Sequence, residues 1–140
     1  MSLAAPDTRP VVVTGASSGI GTEIARGLGR RRYPVVLVAR RRDRLDDLAS
    51  EIRETGHVPT EVMALDLNEA AARAELAAYL GSTPVAGLVN SAGFGTNGVF
   101  HSLPAERLSD EVTVNVLALM ELTRAALPGM VERRAGAVLN

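Results

Sequence analysis

The chain has no cysteine, no tryptophan and no lysine, and all fifteen of its basic residues are arginine. Without cysteine there can be no disulfide and no thiolate chemistry, which fits a reducing compartment. Without lysine, a nucleotide loop of the Gly-Lys-Ser/Thr type is excluded. Aromatic residues make up only 3% of the chain, so valine, leucine, isoleucine and alanine must fill the interior. His57 and His101 lie far apart in sequence, and no His/Cys cluster points to a metal. The net charge of −1 and pI near 6.1 give no global field for nucleic acid. No uninterrupted apolar run approaches the roughly 18–20 residues of a membrane span. The first ten residues lack the charged start and apolar centre of a signal peptide. These absences lead us to expect a soluble, cytoplasmic protein without a metal.

What is present is a regular alternation. Residues 1–9 read as a flexible leader with no periodicity, and 10–140 as one domain. Five short apolar runs, 11–13, 35–39, 61–65, 85–89 and 137–139, read as strands buried on both faces. Between them lie helical segments: about 20–32, 42–54, 68–80 and a long one from about 104 to 134 that contains Pro128. In the first helix the apolar positions 20, 24 and 28 share a face. Gly56 is placed to terminate the second helix, Asn68 to cap the third and Gly81 to end it. The alternation predicts an α/β fold, a Rossmann-like doubly wound parallel sheet that stops inside its fifth strand. Ligands in such sheets bind beyond the carboxyl ends of the strands.

The first strand runs straight into Thr14-Gly15-Ala16-Ser17-Ser18-Gly19-Ile20-Gly21. Three glycines let the backbone turn tightly and let a pyrophosphate approach without Cβ clashes. The helix that follows offers unpaired N–H groups and the positive end of its dipole. Ser17 and Ser18 add hydroxyl donors. This spacing of glycines after a threonine resembles the cofactor loop of the short-chain dehydrogenase/reductase family, in its compact form.

The resemblance implies a nicotinamide cofactor held by Gly15, Ser17, Ser18, Gly19, Ile20 and Gly21. Arg40-Arg41-Arg42 directly follow the second strand, where a protein built for NAD commonly carries an acid. The position therefore suits the 2′-phosphate of NADP(H), with Arg40 the first candidate and Arg41 the second; a solvated arginine cluster offset by Asp43, Asp46 and Asp47 is the alternative. Asp66 matches a family Asp that accepts from the adenine amino group, with the main chain of Leu67 beside it; helix capping is its other reading. Asn90-Ser91-Ala92-Gly93 stands where the family carries Asn-Asn-Ala-Gly, so Asn90, Ala92 and Gly93 are assigned to the nicotinamide side, and Ser91 is a departure. Asn115 lies in an otherwise apolar helical stretch. A buried amide needs partners. It either ties the helix to a neighbouring loop or, as the resemblance implies, distorts the helix and holds a water in a proton relay.

The family's chemistry also needs a serine and a Tyr-xxx-Lys pair. Tyr33 and Tyr79 are followed four residues on by Leu37 and Thr83. Of the catalytic residues, then, the chain supplies Asn115 alone. The expectation is the cofactor-binding half of an NADP(H)-dependent oxidoreductase acting on a carbonyl or alcohol. The longer polypeptide would have about 250 residues, the family's usual length, and assemble as a homodimer or homotetramer. A non-catalytic dinucleotide-binding or sensing module, or a purely structural α/β domain, are the alternatives.

Overall fold

The computed structural model describes residues 8–140, so most of the expected leader lies outside the described residues. Five parallel strands form one sheet in the order β3-β2-β1-β4-β5. They are β1 (Val11–Thr14), β2 (Val35–Ala39), β3 (Thr60–Ala64), β4 (Gly87–Val89) and β5 (Ala137–Leu139). The order reverses between β1 and β4, so a crevice opens where their carboxyl ends part. Val11 stands opposite both Val35 and Gly87, which brings the ends of β1, β2 and β4 level. The doubly wound α/β sheet expected from the sequence is the one present.

In the central strands β1 and β2 the apolar runs are continuous because both faces are covered, whereas β3, at the sheet edge, exposes Glu61. Val11, Val13, Val35 and Leu37 pack on one face against α1 (Gly19–Arg30) and α2 (Arg42–Gly56). Val12, Val36, Val38 and Leu88 pack on the other against α3 (Ala70–Ser82) and α5 (Leu119–Arg133). Beyond β1 the first face opens, although Ala86 and Val89 stay buried on it. A groove of about 1400 Å³ runs there between α1 and the β4–β5 edge, and Leu139 is half exposed in it.

Several local expectations need correction. Ile20 is 75% exposed, so the buried face of α1 is Gly21, Ala25, Leu28 and Gly29 instead. Gly56 does not take the left-handed turn at the end of α2; His57 does, at φ +51°. Gly56 is there because a Cβ would run into the main chain of Gly29, with its carbonyl carbon 2.8 Å away. The two helices cross backbone to backbone. Asn68 does not cap α3: Glu69 holds that position without a side-chain bond, and α3 continues past Gly81 to Ser82.

The long fourth helical region is continuous but not uniform. It comprises α4 (Ala105–Val112), a π-helical turn over Thr113–Ala118, and α5, in which Pro128 is internal. By length and composition alone, 105–133 is apolar enough to cross a membrane. Leu122, Ala126 and Met130 are nevertheless buried against the sheet. Nor does the stretch around Asn115 wholly face a core, since Val112 and Val116 are exposed.

Candidate functional site

β1 ends at Thr14, whose side chain is 1% exposed and fully used. Its hydroxyl donates to Val89 O at 3.3 Å and accepts from the N–H groups of Ser91 and Ala92, each at 3.1 Å. The exits of β1 and β4 are fastened at this oxygen. Gly15 follows at φ +67°, and a Cβ there would lie 2.6 Å from Ser91 O. Only glycine fits a left-handed residue pressed against a second strand. Gly21 lies beneath, where a Cβ would meet the carbonyl of Gly15. Ser18 precedes α1 in an extended conformation without capping it, and the first turn holds no acid. The helix therefore presents bare N–H groups and an uncompensated dipole end.

A cleft of about 340 Å³ opens over this turn. Eleven of the thirteen cofactor candidates line it: Gly15, Ser17, Ser18, Gly19 and Ile20 from the loop; Arg40 and Arg41 beyond β2; Asp66 and Leu67 beyond β3; and Ala92 and Gly93 beyond β4. The exposure of Ile20 follows, because its side chain faces this opening. Gly21 and Asn90 do not line it. Asn90 turns its amide away, donating to Thr123 Oγ1 at 3.0 Å and Asn140 Oδ1 at 2.8 Å, while its buried Oδ1 has no partner among the described residues. The larger groove beside β4 and β5 shares Ser17, Ser18, Gly19 and Ile20 of the loop but none of the candidates from β2, β3 or the β4 exit.

The two leading arginines differ. Arg41 Nη2 donates to Ser17 Oγ at 3.1 Å, which holds a guanidinium beside the glycine loop. Arg40 is exposed and finds no hydrogen-bonding partner among the described residues. Both reach the cleft, and Ala39 before them is not acidic. Asp66 is also no helix cap: its Oδ1 accepts from the N–H of Asn68 at 3.0 Å, closing a turn.

Asn115 lies on the π-helical turn, outside the cleft wall. Its Oδ1 accepts from Phe94 N–H at 3.0 Å and its Nδ2 donates to Phe94 O at 2.8 Å. So the helix is distorted at the residue expected to distort it, and the side chain ties helix to loop. Gly93 makes room for this, since a Cβ would lie 2.9 Å from Asn115 Oδ1. Phe94, which lines the cleft, carries the Arg107 guanidinium 4.0 Å from its ring centre.

Two participants escaped the sequence reading. Thr14 was visible as the residue before the first glycine, but its bonds reach 77 and 78 positions along the chain. Phe94 gave no signal beyond following Gly93. The displaced titrations lie elsewhere. Arg26 is raised, first by its hydrogen bond to Glu51, and Tyr79 is raised by burial and then by Glu61. Among the described residues no three His, Asp or Glu side chains gather as a metal site.

Comparison with known proteins agrees with this geometry. Residues 9–140 match the family described as short chain dehydrogenase. Among curated relatives, the very-long-chain 3-oxoacyl-CoA reductase of Bos taurus is 37% identical over 133 residues, covering 92% of this chain and 43% of that protein. The Laccaria bicolor reductase of the same name is 39% identical, with 92% and 39% covered. A short-chain dehydrogenase from Sphingobium yanoikuyae, solved in complex with NADPH, superimposes with TM-score 0.91 at 37% identity, covering 93% of this chain and 52% of the other. A metagenomic short-chain oxidoreductase in complex with NADP gives TM-score 0.87 at 35% identity, with 96% and 62% covered. The chain thus spans about half the length, or less, of the first of these relatives. Sheet order, glycine turn and sequence all lead to one assignment: the chain belongs to the short-chain dehydrogenase family, of which it represents the N-terminal portion.

Proposed function

We propose that this chain is the cofactor-binding half of an NADP(H)-dependent oxidoreductase that moves a hydride between the nicotinamide and a carbonyl or alcohol. The observation that carries the proposal is the cleft itself. It combines a glycine turn with free helix N–H groups, two arginines and no acid beyond β2, and an aspartate beyond β3. Main-chain N–H groups from residue 19 onward would hold the diphosphate. Arg41, set in place by Ser17, and Arg40 would pair with the 2′-phosphate. Asp66 and Leu67 would meet the adenine, and Ala92 and Gly93 the nicotinamide ribose. The cofactor supplies the hydride. The chain's own part is to bind, orient and exclude water, with Asn115 fixing Phe94 at the nicotinamide end.

The NADPH-bound and NADP-bound neighbours support the cofactor choice, and the reductases named above support carbonyl reduction. Homodimeric or homotetrameric assembly belongs to the same reading. Val112, Val116, Met120, Leu127 and Val131 stand exposed along one long helix, apolar surface of the kind copies of a chain bury. Titration with NADPH and NADH tests the proposal. NADPH should bind about tenfold to a thousandfold tighter, or about 1.4–4 kcal/mol. Equal affinities would remove the 2′-phosphate reading, and no binding of either would leave a structural domain. Carbonyl-dependent NADPH oxidation by the complete polypeptide separates an enzyme from a non-catalytic sensing module.

A further inference from the structure

Arg73 lies in the first full turn of α3 and is only 8% exposed. A cation near a helix N-terminus opposes the dipole, so the helix gains nothing from it there. Burying a guanidinium is also costly, and an apolar side chain of similar volume would fill the space at less expense. What arginine adds is direction. Its Nη1 donates to Leu67 O at 3.1 Å and Asn68 O at 2.8 Å, and its Nε donates to Glu121 Oε2 on α5 at 2.8 Å.

Those two carbonyls belong to the turn that carries Asp66 and Leu67 into the cleft. The same turn is tied a second time, by Asn68 Nδ2 donating to Asp110 Oδ1 on α4 at 2.8 Å. Glu121 and Asp110 stand on either side of Asn115, which fixes Phe94. One helical run, 105–133, therefore grips both the β3 exit and the β4 exit.

We infer that Arg73, backed by Glu121, is a positioning residue that holds the Leu67–Asn68 main chain so that Asp66 and Leu67 meet the adenine end of the cofactor. This rests on the cleft being the nucleotide site, as proposed above. The test uses the full-length polypeptide and two probes: 2′,5′-ADP, which fills only the adenine end, and reduced nicotinamide mononucleotide, which fills only the other. Arg73→Met keeps the volume and removes the donors. It should weaken 2′,5′-ADP about tenfold, as expected for lost bonds from a charged donor, and leave the mononucleotide within about twofold. Arg73→Lys, which keeps the charge beside Glu121 but not the forked geometry, should fall between. Should Arg73→Met not fold, Asn68→Ala must show the same one-sided loss at about two- to threefold. Equal weakening of both probes, or no weakening of 2′,5′-ADP, overturns the inference. Failure of the unsubstituted protein to bind 2′,5′-ADP would instead overturn the cleft assignment, and this inference with it.

Discussion

The two ends of the cleft are built on different principles. At the end beyond β2, proposed above for the 2′-phosphate, the groups offered are exposed arginine side chains, one held by Ser17 and the other without a hydrogen-bonding partner among the described residues. At the β4 exit two polar side chains are spent on main-chain groups: Thr14 on Val89, Ser91 and Ala92, and Asn115 on Phe94. On the proposed reading, cofactor choice would rest on groups that folding hardly uses. Geometry rests on groups that folding cannot lose. Selectivity should therefore change without loss of stability at one end, while at the other any change costs both.

The severest test of that contrast is Thr14→Val, which keeps the shape and leaves two partly buried N–H groups without an acceptor. It should cost about 2–4 kcal/mol, read as a fall in Tm together with weaker NADPH binding. A neutral result would mean that the β4 exit is held by something else. Next is Asn115→Ala, expected to cost about 1–3 kcal/mol and to lower kcat in the complete enzyme; unchanged stability would assign the tie to Phe94 little weight. At the other end, Arg41→Ala and Arg40→Ala should each reduce the preference for NADPH over NADH by about tenfold and move stability by no more than about 0.5 kcal/mol. A large fall in Tm in either variant would erase the distinction between the ends.

The smallest effect concerns Glu51, whose carboxyl is held below its ordinary range first by the hydrogen bond from Arg26. A depressed carboxyl contributes its full stability above the ordinary glutamate range and loses it as pH falls through the lowered value. The pair is partly exposed, so its share is below about 1 kcal/mol. Urea titrations at neutral and acidic pH should show that part of the slope vanish in Arg26→Met. Because this pair lies away from the cleft wall, the NADPH preference should be unmoved.

Much of this was legible in the sequence because it is local. The strands β2, β4 and β5 are unbroken apolar runs, and the turn from β1 into α1 is written in consecutive residues. Eleven of the thirteen cofactor candidates converge because parallel strands bring their carboxyl ends to one edge. What failed was long-range or depended on the path of one side chain. Asn68 looks like a helix cap, yet its amide reaches Asp110, 42 positions away. Arg73 is one arginine among fifteen until Glu121 is beside it. Arg40 and Arg41 are equivalent as letters, and only the course of the chain gives Ser17 to the second. Ile20 keeps helical phase with Ile24 and Leu28, but it sits in the first turn, where the helix faces the opening.

Gly29 and Gly56 meet near the far ends of α1 and α2, away from the cleft. The near ends of the same helices begin at Gly19 and follow Arg41 directly. Two rods pinned together at one end have their spread at the other end fixed, and α2 is fifteen residues long, or about 22 Å. A methyl group on Gly56 would act as a wedge at the pivot and splay the tips. Its effect would register as a changed gap between Ser17 and the Arg41 guanidinium, a selectivity phenotype from a residue that never approaches the ligand.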